Sequence, residues 1–482
     1  MSPHPLRRAA PGWAVLTLAL VASLRAAAPE VSARLDGRPL ELHPFREGAF
    51  AVFDDSGPGE VEIRTSFDVR WVNIRPLSAG IRATVGPDHN SVRLRLAGPT
   101  PLTVEFNDDL SYVVHLFAYD PEAHPPRPGD PGVRYFGPGL HAPGLITLGD
   151  GETLYLAPGA WVKGNVRSVG TRGVTIRGRG VLDGTDVHLN PEPRGREPGG
   201  AGFHNLVYLR DTVGARLEGI TLFNSASEWT VLMTGTTGTR VDGVKMLNPS
   251  PEYGDDGYDV VSSCDVRIEN VFIRTNDDCV VVKNLRDLDT HGVWVRHAVL
   301  WNMAHGGNGL EVGFETRHQP VHDIHFQDID LIHVERGAAI SIHNGDAATV
   351  SEVTFDDLRV EDARRKLIDF AVIYAQYGYD KPATAAENAR RLDDGGTWDG
   401  LLSFTAAERP DRAAFRGHIR DVRVSNLRVV DGALPYSVVA GFDPGHGVDH
   451  VLIEGLQYLG RPLRTAADAK LVVDYARDVE VR

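Results

Sequence analysis

From about residue 30 to residue 117 the chain alternates apolar and polar positions in short runs. These are "VSARLDGRPLEL", "GAFAVFD", "EVEIRTSF", "SVRLRLAG" and "PLTVEFN", each cut short by Gly, Pro or Asp. A period of two puts every second side chain on one face, so each run predicts a short strand with one buried side. Several such strands in succession predict a small all-β sandwich. "YDPEAHPPRPGDPGVRYFGPG" then concentrates Pro and Gly between residues 119 and 139 and reads as a linker. The expected organisation is a sandwich with its linker over 29–130 and a second domain over 131–482.

A different pattern governs that second domain. "LEGI" at 217–220 recurs as "VDGV" at 241–244 and "IENV" at 268–271. Further on stand "FQDI" at 326–329, "FDDL" at 355–358, "VSNL" at 424–427 and "IEGL" at 453–456, with "VRHAV" from Val295 filling the gap. An apolar residue is followed by two polar or small ones, usually Asn, Asp or Gly in third place, and then another apolar residue. A period in the twenties with short strands is the mark of a solenoid, whose strands find partners on the next coil. Leucine-rich repeats would need regular Leu and helical segments, and propeller blades would need longer repeats. The pattern predicts an all-β protein: a right-handed parallel β-helix preceded by a small β-sandwich.

Composition changes the picture at the N-terminus. Arg7 and Arg8 precede the apolar run "WAVLTLALVASL", and small residues follow at Ala26 to Ala28. This is the layout of a secretory signal peptide over residues 1–28, with a single N-terminal anchor as the alternative reading, so the chain is expected to be secreted or periplasmic. Removing it takes away three Arg and no acid, moving the formal charge from −15 to −18. Such an acidic body repels polyanions, which argues against nucleic acid as a partner. After signal cleavage no membrane-length apolar run remains. The two Cys, Cys264 and Cys279, make no disulfide framework, and no Cys/His spacing suggests structural zinc. No cofactor and no metal are expected.

Carboxylates supply the candidate chemistry. "GDDGYD" carries Asp255, Asp256 and Asp259, and "NDDC" carries Asp277 and Asp278. Asp256 precedes the pair by 21 and 22 residues, close to one coil, so the three should meet on one face about 4.8 Å apart per layer. For Asp277 and Asp278 to be exposed together they must lie at a bend. Crowded carboxylates cannot all ionise freely, and one protonated acid beside an ionised base suits glycosidic cleavage. A Ca²⁺ site is the competing reading. Asp255 and Asp259 read as caps of a Gly-containing turn.

These residues resemble glycoside hydrolase family 28, the polygalacturonases and their relatives. That family carries Asn-Thr-Asp-Gly, then Asp-Asp, then Gly-His-Gly. "GDDGYD" is similar to the first and "NDDCVVVK" to the second, and the similarity runs through "SEWTVL" around Trp229 and over roughly 131–460. "GNGLEVG" departs from the third, with Asn308 in place of His and His305 three residues earlier. "GAAISIHNGD" departs from the family's Arg-Ile-Lys, with Ala339 and Ser341 at the basic positions. The sandwich and the Asn-Asp-Asp element also resemble family 49, whose members cleave neutral α-glucans. The resemblance implies an inverting hydrolase with Asp277 as general acid and Asp256 and Asp278 acting on water. Inversion implies carboxyl groups about 6.5–9.5 Å apart.

Candidate substrate-binding residues are Trp229, Asn308, Glu311, Glu315, His343, His305 and Lys283, with Asp346 beside His343. Lys283 alone would by default end its strand in solvent. "YAQYGYDKPATAAENARRLDDGGTWDG" from Tyr374 interrupts the repeat and is expected to form a groove-walling loop carrying Tyr377, Tyr379 and Trp398. The partner expected is a poly- or oligosaccharide. Two rivals remain: a polysaccharide lyase, for which no basic cluster stands beside Asp277, and a β-helix that binds sugar without cleaving it.

Overall fold

The third position of the four-residue repeat is where the backbone turns left-handed. Gly219, Gly243, Asn270, His297, Asp328, Asp357, Asn426 and Gly455 all have φ between 53° and 70°. Gly accepts this conformation freely, and Asn and Asp tolerate it better than other side chains. The repeat is therefore a corner. Its first residues form one ladder, Leu217, Val241, Ile268, Val295, Phe326, Phe355, Val424 and Ile453, each paired in register with the next. All eight are buried in the interior, and the Phe326 and Phe355 rings stack with centroids 5.0 Å apart.

The computed structural model describes residues 29–55, 57–186, 205–224, 229–249, 255–303, 306–374 and 410–482. The signal-like segment, His305, Tyr377, Tyr379 and Trp398 lie outside them. Every strand from Val133–Phe136 to Ala476–Val481 joins one 29-stranded sheet wound in sequence order. Three strands make up an early coil. From Thr290–Asn302 onward the second and third fuse into one long strand bent at the corner. The fold is a right-handed parallel β-helix, with the sandwich ahead of it. Strands Lys366–Val372 and Tyr436–Ala440 pair directly, so the coil closes across the interrupting segment.

The sandwich consists of two five-stranded sheets that share one core, including Val61, Ile63 and Val92 from one and Leu102, Val104 and Leu116 from the other. Strand Asp109–Tyr119 is buried on both faces toward its end. Val114 and Leu116 enter the sandwich core, whereas Val113, Phe117 and Tyr119 pack on Val181, Phe223, Leu247, Phe272 and Trp301 of the β-helix. Among the described residues no helix is long and apolar enough to cross a membrane.

Candidate active site

One column of strands carries the acidic residues: Asp256–Val261, Val280–Asn284, Leu310–Thr316, Ala338–Asn344 and Lys366–Val372. Alternate residues, including Tyr258 and Val260, Val280 and Val282, and Ile340 and Ile342, fill the interior. The opposite parity places Asp259, Lys283, Glu311, Ser341, His343 and Asp369 on the outer side. Tyr258 pairs with Val280, which brings Asp256 one layer from Asp278. The Asp278 backbone N–H donates to Asp256 Oδ1 at 3.1 Å.

Asp277 and Asp278 occupy the bend between strands Phe272–Thr275 and Val280–Asn284. Asn302 holds that bend, its Nδ2 donating to the carbonyls of Asp277 and Gly306, both at 2.8 Å. Gly307 closes over it with φ 69°, where a Cβ would lie 2.3 Å from Asp277 Oδ1. Asp277 is half-buried, and Asp256 and Asp278 are buried. One carboxylate oxygen from each of the three lies within 4.8 Å of the others. The 6.5–9.5 Å gap expected from the sequence is not the spacing of these nearest oxygens.

Lys283 is buried, not solvated as a lone strand-end Lys would be. Its Nζ lies 3.3 Å from Asp256, 3.3 Å from Asp259 and 3.5 Å from Glu315, and 4.0 Å above the Trp229 ring. Asp259 is thus a strand residue facing a cation, not the turn cap expected. Burial raises the Asp256 carboxyl well above the usual carboxylate range; Lys283 opposes this, and Asp259, Asp277 and Asp278 add to it. Asp278 is raised well above that range by burial, then by Asp277 and Glu311. Asp259 is pushed by burial to about 7. Burial works against the Lys283 ammonium, yet Glu315, Asp256 and Asp259 raise its pKa well above the ordinary Lys value.

A second set of groups abuts Asp278. Asn308 donates from Nδ2 to Asp278 Oδ1 at 2.9 Å and to Glu311 Oε2 at 3.0 Å, and its own Oδ1 accepts from the Ala338 N–H at 2.9 Å. His343 stands between Glu311 at 2.8 Å and Asp369 at 3.0 Å and stacks on Phe314. Ser341 donates to Glu311, and Lys366 pairs with Asp369. Burial alone would lower His343, but Glu311 and Asp369 outweigh it and push its pKa to about 10.

Of the sugar-binding candidates, Asn308, Glu311 and His343 are therefore buried and bonded to one another, and Lys283 is buried against Asp256, Asp259 and Glu315, while Glu315 and Trp229 are half-buried beside Lys283. Asp346 is buried, its Oδ2 accepting from the Thr316 N–H at 3.3 Å. Sequence reasoning did not find Asp259, Lys366, Asp369 or Gly307. Strand parity across the column would have placed Asp259 beside Lys283, and "HGGNG" signals the close approach at Gly307.

The chain is similar to glycosyl hydrolases family 28, whose model matches residues 157–394. The probable endopolygalacturonase D of Neosartorya fischeri is 25% identical over 194 residues, 39% of this chain and 37% of that protein. The probable endopolygalacturonase E of Aspergillus niger is 24% identical over 141 residues, 29% of this chain and 34% of that protein. The matches span about a third of those relatives' length. In fold, the chain is similar to Dex49A from Penicillium minioluteum, with a TM-score of 0.62 at 13% identity, covering 91% of this chain and 89% of that one.

Proposed function

We propose that the protein is an exported inverting glycoside hydrolase that cleaves O-glycosidic bonds of a poly- or oligosaccharide. The observation that carries this is the meeting of Asp256, Asp277 and Asp278 from adjacent coils within 4.8 Å, backed by a buried cation, Lys283. Buried carboxyls crowded in this way retain at least one proton at neutral pH. Asp277, the half-buried member, gives a proton to the leaving oxygen. Of Asp256 and Asp278, whose carboxyls burial raises, the ionised one takes the proton of the attacking water and the other orients that water as it attacks the anomeric carbon. A water bridging Asp256 and Asp278 suits the closeness of those two; the equally close Asp277 is not at the usual inverting distance, and inversion rests on the resemblance. Inversion is the outcome expected when the first-formed anomer is followed by proton NMR. Retention would mean that one Asp forms a glycosyl ester instead.

The substrate reading is a glycan other than simple polygalacturonate. Ala339 and Ser341 stand at the two basic positions of the resemblance, and Lys283, His343 and Lys366 are all matched to carboxylates. A uronate entering this site finds none of these three cations uncommitted. Reducing-end release across neutral and acidic glycans tests the point, and efficient turnover of unmodified polygalacturonate contradicts it. A rise in absorbance from unsaturated product would instead mark a lyase.

A further inference from the structure

A second ligand-bearing cluster lies past the other end of strand Val280–Asn284 from the acidic bend. Long strands Thr290–Asn302 and Val321–Val334 occupy adjacent coils, and His291 pairs in register with His322. Their imidazole rings stack with centroids 5.2 Å apart and planes 8° from parallel. Asp289, two residues before His291, falls on the same side of the chain by strand parity. One donor atom from each of Asp289, His291 and His322 lies within 4.8 Å of the others.

The pairing of these groups is incomplete as it stands. His291 Nδ1 is shielded from solvent and has no hydrogen-bond partner. A buried ring nitrogen without a partner costs free energy that a ligand would recover. Asp289 is exposed and both His are half-buried, so an ion can reach the cluster from solvent.

We propose that Asp289, His291 and His322 form a binding site for a divalent transition-metal ion of the zinc class. Two imidazole nitrogens and one carboxylate suit zinc, whereas calcium and magnesium prefer all-oxygen sets. Bonds of about 2.0–2.2 Å require small side-chain rotations to draw the three donors together. The ion would tie the starts of strands Thr290–Asn302 and Val321–Val334 on successive coils and leave a fourth position to water. The sequence hides the site because 31 residues separate the two His, a spacing set by the coil and not by a local motif.

The test uses the full chain without a histidine tag and reads binding of Zn²⁺ by calorimetry and of Co²⁺ by visible absorption. One equivalent of Co²⁺ should bind with tetrahedral-type bands, and Zn²⁺ should displace it. Zn²⁺ should raise the melting temperature by a few degrees, as a ligand binding only the folded state does. His291→Gln and His322→Gln should each weaken Zn²⁺ at least about 10-fold, since even losing an outer-shell partner costs that much. Both positions are half-buried, so unchanged metal-free melting shows that the variants fold. Asp277→Asn should bind Zn²⁺ as the parent does. Equal Zn²⁺ affinity in all four proteins, no stoichiometric binding by the parent, or loss of binding only in Asp277→Asn would each overturn the proposal.

Discussion

His343 illustrates how one residue can tie charge to stability. Its pKa of about 10 lies above the unfolded value near 6.5, so its ion pairs contribute fully below pH 6.5 and fade as pH rises through 10. His343→Gln should therefore lower the melting temperature most near pH 6, with the gap to the parent closing by pH 10. A gap that stays constant would mean that Glu311 and Asp369 do not hold a histidinium. Asp277→Asn should slow cleavage of natural glycosides by about 10²–10⁴-fold, the usual worth of a general acid, with substrate affinity nearly unchanged. At this scale the sequence is half legible. The neighbourhood of Asp256 and Asp278 follows from a 22-residue offset near the coil period. The engagement of Lys283 does not, because its partners Asp259 and Glu315 are set by outward parity on two different coils. Asn308 likewise reads as a lost His, and only the three-dimensional neighbours show it bridging Asp278 to Glu311.

The corner is the element that the sequence states most clearly. Apolar residues at its first and fourth positions and Asn, Asp or Gly at its third are all visible in the chain, so the solenoid and its inward ladder are legible without coordinates. What the repeat does not reveal is the fusion of two strands beyond Thr290, because the strands on both sides of the corner keep the same apolar spacing. The corner makes a direct prediction. Asn270 has φ 57° and its Nδ2 donates to Asp242 at 2.7 Å. Asn270→Val should destabilise by about 1–2 kcal/mol from the left-handed penalty, whereas Asn270→Gly should stay closer to the parent. Urea melts that rank the two variants in the reverse order would contradict the corner reading. Gly307→Ala tests the acidic bend in the same spirit. Its Cβ would collide with the Asp277 backbone and carboxylate, so activity should fall more than stability.

Across the whole molecule, the sandwich and the β-helix are held by charge as well as by apolar packing. Arg75 reaches Glu105 at 3.1 Å within the sandwich and Glu361 at 2.7 Å on the β-helix. On the other side of the joint Arg274 pairs with Glu47 at 2.7 Å. Arg75→Met should cost about 3–5 kcal/mol by leaving Glu105 and Glu361 buried beside no guanidinium, as measured by chemical unfolding. None of this joint is readable from the sequence, since Arg75 and Glu361 lie 286 residues apart and neither strand announces a second buried face. The central claim, that Asp277 donates the proton, is tested most directly by leaving-group dependence. An activated aryl glycoside needs no proton on departure, so Asp277→Asn should recover near-parent rates on it while Asp256→Asn and Asp278→Asn stay slow. Rescue of Asp278→Asn instead, or near-parent rates for Asp277→Asn on natural glycosides, would contradict the account.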